Sequence, residues 1–236
     1  MKQQTTTLTL DDARIFSSYT AADTAHQSGL TAVFLHGAGQ SNSERFAGLT
    51  SFFAERGVSV VALDFIGHGK TGGEMSDNSL ALRTKHALAA IDHWTAANAP
   101  LILCGSSMSG HTALRVASLL SERVKSLWLL QPAVYAKEAE DTKFTTEFTE
   151  ILRRPESWKT SHALQDAARF TGKALVTIGS EDKVIPWGVI EALMDNLGTS
   201  SSQTRLEVFD GVGHELPTWL PQHPDTCQDL FDYLTS

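Results

Sequence analysis

Six short apolar runs, most of them followed by a segment with helical spacing, constrain this chain more than anything else in it. They are LTAVFL (30–35), VSVVALD (58–64), LILC (101–104), SLWLLQ (126–131), ALVTIG (174–179) and TRLEVF (204–209). A strand with one wet face alternates apolar and polar residues. Most of these runs are nearly continuous, so they read as strands buried on both faces of a parallel sheet. Helical spacing follows near Ser43–Arg56, Ser79–Asn98, Ser109–Leu120 and Trp187–Asn196. A last helix is expected after Pro224, with Asp225 as its cap and Leu230, Tyr233 and Leu234 on one side. Strand and helix in repetition predict an α/β fold, a mostly parallel central sheet with helices on both faces. The N-terminal TLTL and ARIFSSY add one or two short antiparallel strands at one edge.

At 236 residues and 42% hydrophobic content the chain can bury one sizeable core, so a single domain over 1–236 is expected. One stretch breaks the rhythm. From Ala133 to Phe170 the chain is polar and includes KEAEDTKFTTEFTEILRRPESW, between two strands that a compact fold would join more briefly. It reads either as surface helices on a long crossover or as a small helical cap over the carboxyl ends of the strands, where open α/β sheets bind ligands. The cap, at about 133–170, is the expectation.

Charge narrows the partners. The formal net charge is −8 and no Lys/Arg cluster tracks a phosphate backbone, which argues against nucleic acid and against an anionic membrane surface. No run of eighteen apolar residues occurs and the opening MKQQTTTLTLDDARIF holds no apolar segment of signal-peptide length, so a soluble, cytoplasmic protein is expected. Cys104 and Cys227 have no metal-like spacing, and Cys104 reads as a small buried strand residue. His86 and His93 lie seven apart, too far for the i, i+4 pair of a zinc helix, so no metal site is expected. GHGKTGG echoes a phosphate-binding loop, but that motif's first glycine would fall on Asp64.

The stretch LCGSSMSG (103–110) joins a strand to a helix. In a nucleophile elbow a serine occupies such a sharp turn, and small residues two before and two after it let strand and helix approach. Ser107 alone has those neighbours, Gly105 before and Ser109 after, with Gly110 next. The usual pattern is G-x-S-x-G. Ser109 departs from it and asks for a slightly more open turn or milder backbone angles. A serine hydroxyl is a weak nucleophile at neutral pH, so it needs a base, and the base needs an orienting acid. Asp182 stands just past one later strand and His214 in a glycine-bearing loop past the last, with Glu181 and Asp210 as competing acids.

These residues carry a resemblance. VFLHGAGQS (33–41), VALDFIGHGKTGG (61–73), LCGSSMSG (103–110), IGSEDKVIP (178–186) and GVGH (211–214) follow in the order of the α/β-hydrolase fold superfamily, and the chain resembles its members over most of its length. The resemblance implies a catalytic triad of Ser107, His214 and Asp182, with backbone N–H groups of Ala38 and Met108 forming an oxyanion hole. It implies hydrolysis of a small-molecule carboxylic ester or thioester through an acyl-enzyme, with no cofactor. His36 would shape the loop after the first parallel strand, and His68 would line or cover the pocket. Trp187, Trp219, Phe65 and Met108 stand at positions for pocket walls or for packing. A short cap suits a small or extended acyl group. Two other uses of the scaffold stay open: a non-catalytic binding protein, and a lyase that uses the same residues as a base and needs a further polar group such as Lys183.

Overall fold

The computed structural model describes residues 2–10, 13–23 and 27–236. The threonine-rich start has the β propensity of its β-branched residues and forms strand β1 (Gln3–Leu10), which pairs antiparallel with β2 (Ala13–Thr20). β1 is longer than the predicted TLTL because its outer face is open to solvent, where the glutamines and threonines cost nothing. The parallel strands are β3 (Thr31–Leu35), β4 (Ser59–Leu63), β5 (Leu101–Ser106), β6 (Val124–Leu130), β7 (Lys173–Gly179) and β8 (Gln203–Phe209). The sheet order is β1-β2-β4-β3-β5-β6-β7-β8, antiparallel at β1-β2 and β2-β4 and parallel elsewhere.

The unbroken apolar runs follow from two cores, one on each face of the sheet. Val33, Leu35, Val61, Leu63, Leu103, Leu127, Leu129 and Val176 point to one face. Helices α2 (Leu80–Trp94), α3 (Ser109–Leu120), α5 (His162–Ala167) and α6 (Trp187–Leu197) supply the partners there. Their neighbours in the strands, Ala32, Phe34, Val60, Ala62, Ile102, Cys104, Trp128 and Leu130, point to the other, against α1 (Ala47–Glu55), α7 (Leu216–Trp219) and α8 (Pro224–Thr235). Successive strand side chains alternate faces, so a strand covered twice must be apolar at every position.

The helix ends depart from expectation where polar residues stop them. α2 ends at Trp94 rather than near Asn98, and α1 is preceded by a separate 3-10 turn, Ser43–Phe46. α8 begins at Pro224, with His223 at the cap position, so Asp225 lies inside the first turn rather than capping it. Proline suits the first helical position because its missing N–H would have had no partner there. Between β6 and β7 the chain forms two helices, α4 (Thr146–Arg153) and α5, with short 3-10 turns at Lys137–Ala139 and Ser157–Thr160. Phe148 and Ile151 of α4 pack with Met108, Leu80, Ala136 and Ala139. Arg115 of α3 ties the segment down by donating to Glu140 at 2.7 Å and to Asp166. Among the described residues, no helix is long and apolar enough to cross a membrane.

Candidate active site

β3 lies between β4 and β5, so the chain leaves it and returns on either side. A crevice opens at the carboxyl ends of strands that part in this way. The loop after β3 and the turn after β5 meet there. A Cβ on Gly37 would lie 3.0 Å from the Cβ of Ser107, so any other residue would push the loop back by a few tenths of an ångström. Gly105 serves the turn itself, since a Cβ there would run into the Ser109 backbone and meet the Ala113 Cβ at 2.7 Å.

Ser107 has φ 51°, in the left-handed region that side-chain-bearing residues seldom occupy. Three backbone bonds hold it there: its N–H donates to Leu130 at 2.9 Å, and its carbonyl accepts from Gly110 at 2.8 Å and from Ala133 at 2.9 Å. Ser109 does not share the left-handed angle. The departure from G-x-S-x-G therefore needs no more open turn. The second close approach falls one residue later, where a Cβ on Gly110 would meet Pro132 at 2.5 Å. The buried Ser109 hydroxyl donates to the His36 carbonyl at 2.6 Å and accepts from Arg83 Nη2 at 2.8 Å.

The structure brings Ser107, His214 and Asp182 into one hydrogen-bonded line. His214 Nε2 lies 3.0 Å from Ser107 Oγ, and Nδ1 lies 2.7 Å from Asp182 Oδ2. A carboxylate can only accept, so Nδ1 carries the proton and Nε2 is free to accept from the serine hydroxyl. The Asp182 side chain is fully buried and fully engaged. Oδ1 accepts from the N–H groups of Val184 and Ile185 at 2.8 and 3.0 Å, and Oδ2 also accepts from Gln131 Nε2 at 3.0 Å. Burial alone would raise this carboxyl. The bonds from Gln131, His214, Ile185 and Val184 outweigh it and hold the group below the usual aspartate range. Glu181 and Asp210, the competing acids, make no bond to His214.

Gln131 was not singled out by its sequence. It stands at the end of β6 with φ 48°, and besides Asp182 it donates to the Gly213 carbonyl at 3.1 Å and accepts from the Leu216 N–H at 2.7 Å. One side chain thus positions both the acid and the loop bearing His214. The only signal available was a polar residue closing an apolar run just before Pro132.

Among the described residues, the N–H groups of Ala38 and Met108 donate to no protein acceptor. His36 fixes the loop that carries Ala38: Nδ1 donates to the Gly37 carbonyl at 2.7 Å and Nε2 accepts from the Phe65 N–H at 3.1 Å. Arg83, fully buried, donates to the His36 carbonyl and lies 3.8 Å from the Phe65 ring centre. Burial with no carboxylate partner pulls its guanidinium down to about 9.

A cavity of about 110 Å³ opens at Ser107, bounded by Ala38, Gln40, Ser41, Arg45, His214 and Pro217. None of the four candidate wall residues lines it. Phe65 is buried beside His36 and Arg83, Met108 packs against α4, Trp219 against Phe209 and His223, and Trp187 is half exposed at the start of α6. The bulk of the first three serves packing. His68 does not reach it either, lining instead an adjoining hollow with Met75. Lys183 is exposed and does not face it. A larger cavity, about 680 Å³, lies elsewhere, between the β1-β2 hairpin and α2.

The model of the serine aminopeptidase, S33 family matches residues 27–158, more than half of the chain. The chain belongs to this family of α/β hydrolases. The matched span holds Ser107, Ala38 and Met108; Asp182 and His214 lie beyond it. Over 202 residues this family member is 30% identical to the dihydrolipoyllysine-residue acetyltransferase component of the acetoin cleaving system of Pseudomonas putida. That match takes in 84% of this chain but spans only 50% of the relative's length. It is 26% identical over 244 residues to a Mycoplasma pneumoniae protein named "Putative esterase/lipase 2", with 86% of each covered. Its fold is that of Est1E from Butyrivibrio proteoclasticus, solved with ferulic acid bound, at a TM-score of 0.74, 16% identity and 97% and 98% coverage.

Proposed function

We propose that this chain is a serine hydrolase that cleaves a small carboxylic ester or thioester through an acyl-enzyme on Ser107. One observation carries the reading: Asp182, His214 and Ser107 in a hydrogen-bonded line of 2.7 and 3.0 Å, ending on a serine whose backbone is held at φ 51°. The family membership and the esterase/lipase name of the Mycoplasma relative support an ester in particular.

In this mechanism Ser107 Oγ attacks the carbonyl carbon as its proton passes to His214 Nε2. Asp182 keeps Nδ1 protonated and stabilises the imidazolium that forms. The carbonyl oxygen becomes an oxyanion facing the N–H groups of Ala38 and Met108, which have no other acceptor among the described residues. Donors so placed are typically worth on the order of 10²–10³ in rate each. The imidazolium then protonates the leaving group, and a water activated by His214 releases the acid. The segment at about 133–170, fastened through Arg115 to α3, acts as a small cap on the single α/β domain. It covers the Met108 side of the crevice and leaves room for a short acyl group.

The test is labelling with a fluorophosphonate, read by intact-mass and peptide mass spectrometry against heat-denatured protein. Stoichiometric label on Ser107 in native protein is expected, and Ser107→Ala should stay folded while losing several orders of magnitude in turnover. Folded protein that takes no label, or a Ser107→Ala variant with wild-type turnover, would overturn the reading and favour a binding protein on the same scaffold.

A further inference from the structure

We propose that Arg45 is the specificity residue of this site, and that the substrate is a short ester or thioester carrying a carboxylate. The inference rests on the hydrolase reading above. Arg45 lines the same cavity of about 110 Å³ as Ser107 and His214. It is half-buried, and among the described residues its guanidinium has no carboxylate, hydrogen-bond acceptor or ring against it.

That isolation sets it apart within the molecule. The other arginines that are not fully exposed each have at least one acceptor. Arg56 sits by Glu55, Arg115 binds Glu140 and Asp166, Arg123 reaches Asp92, and Arg205 bridges Glu207 and Asp229. Arg83 has carbonyl and hydroxyl acceptors instead. Removing a cation partly from water without a partner is unfavourable. A chain with 27 acidic side chains against 19 basic ones had partners to offer. The nearest in sequence, Glu44, is engaged with Lys70 at 3.3 Å, and Glu215, next to His214, is exposed and does not pair with Arg45.

The backbone beneath Arg45 is rigid. Asn42 Oδ1 accepts from the Glu44 N–H at 3.0 Å, and Asp64 accepts from the Ser43 N–H at 2.8 Å and from the Lys70 N–H at 2.8 Å. The next residue, Phe46, is buried and stacks on Phe34 of β3 with ring centres 5.0 Å apart. A cation held on such a base, beside the nucleophile and without a counter-ion, is preorganised for an anion brought by the substrate. Guanidinium and carboxylate match as a bidentate pair. Gln40 and Ser41 supply neutral donors on the same wall.

Two matched pairs of substrates test this and also locate the charge. Methyl hydrogen succinate against methyl levulinate places a carboxylate or its neutral isostere on the acyl side. Acetoxyacetate against acetoxyacetone does the same on the alcohol side. The readout is the ratio of kcat/KM, anionic over neutral, in wild type, Arg45→Gln and Arg45→Lys. In one of the two pairs a wild-type ratio of about tenfold or more is expected. It should fall about tenfold in Arg45→Gln and return in part in Arg45→Lys. Ratios near or below one in both pairs, or a ratio unchanged in Arg45→Gln, overturn the proposal while neutral-ester hydrolysis keeps the hydrolase reading intact. Should no ester be turned over and Ser107 take no fluorophosphonate, the hydrolase reading fails by itself. Calorimetric titration with succinate then decides for Arg45: binding lost in Arg45→Gln supports an anion site, and no binding overturns it.

Discussion

The hydroxyl of Ser109 donates to the carbonyl oxygen of His36 at 2.6 Å, joining the turn that bears Ser107 to the loop that bears Ala38. The two halves of the proposed oxyanion hole are therefore held in register by a side chain at the position where the usual motif has glycine.

Ser109→Ala removes that bond and one acceptor of Arg83, in a site with no solvent to replace it. A stability loss of about 1–3 kcal/mol is expected, from the price of leaving buried polar groups unpaired. Turnover should fall by about tenfold, because the loop is freed relative to the nucleophile. Urea titration and kcat on one ester measure the two together. A variant that loses stability but keeps full kcat would show that the bond serves the fold alone.

Gln131 separates positioning from packing. Gln131→Leu leaves the buried Leu216 N–H without its acceptor and Asp182 without one of its donors. A loss of about 1–3 kcal/mol is expected, with kcat reduced by about 10–100-fold. Gln131→Glu keeps an acceptor for Leu216 but sets a second carboxylate against Asp182, so the two carboxyls take up a proton between them and Asp182 holds the imidazole of His214 less firmly. Its kcat should fall at least as far as that of the leucine variant. Equal kcat in wild type and Gln131→Glu would remove Gln131 from the account.

Stability should fall on the acid side of neutrality. Burial, with Arg83 close by, holds His36 well below 6.5 and lowers His68, and burial pushes His111 down to about 4. The unfolded chain takes up protons at these imidazoles below pH 6.5 and the folded chain does not. The stabilisation is complete above 6.5 and is lost as the pH falls through the folded values. Each histidine contributes up to about 1.4 kcal/mol per pH unit in that window. Asp182, also depressed, adds its share lower, below its ordinary 3.8. Urea midpoints at pH 7, 6 and 5 should decline steadily; a flat series would mean that these rings are not kept neutral.

Arg115 is the test of the segment after β6. It binds Glu140 and Asp166, and Glu140 is shared with His162 at 2.7 Å. Arg115→Ala leaves the nearly buried Asp166 carboxylate without its partner and Glu140 with His162 alone. Protease cleavage within residues 137–160 should become faster by about tenfold or more, with global stability lowered by about 2–4 kcal/mol. Unchanged cleavage would mean that packing of Phe148 and Ile151 alone holds the segment.

Much of this was legible in the sequence, for a physical reason. Strands covered on both faces must be apolar throughout, so VFL, VVAL and LILC announced themselves. The edge strand β1 did not, because its exposed face permits polar residues. Ser107, Asp182 and His214 sit in loops at strand ends, and Gly105 and Gly179, just before the first two, stand where neighbouring backbone leaves no room for a side chain. Gln131, Arg83 and Arg45 carried no comparable signal. The partners of the first two lie far along the chain: Gln131 meets Asp182 51 residues on, and Arg83 meets His36 47 residues back. Aromatic bulk left two uses open, and Phe65 and Trp219 turn out to pack rather than line the cavity.

The left-handed backbone at Ser107 sets the fold and the site in opposition. Such an angle costs a side-chain-bearing residue of order 1–3 kcal/mol and a glycine almost nothing. A search for hardier variants, blind to activity, would be drawn to glycine there, and the line from Gln131 through Asp182 and His214 would end on no hydroxyl. Gln131 shares the angle, but its side chain offsets the cost through its bonds to Asp182, Gly213 and Leu216. Thermal robustness and turnover are thus rivals at one identifiable residue, and a library screened on heat alone should return inert winners there.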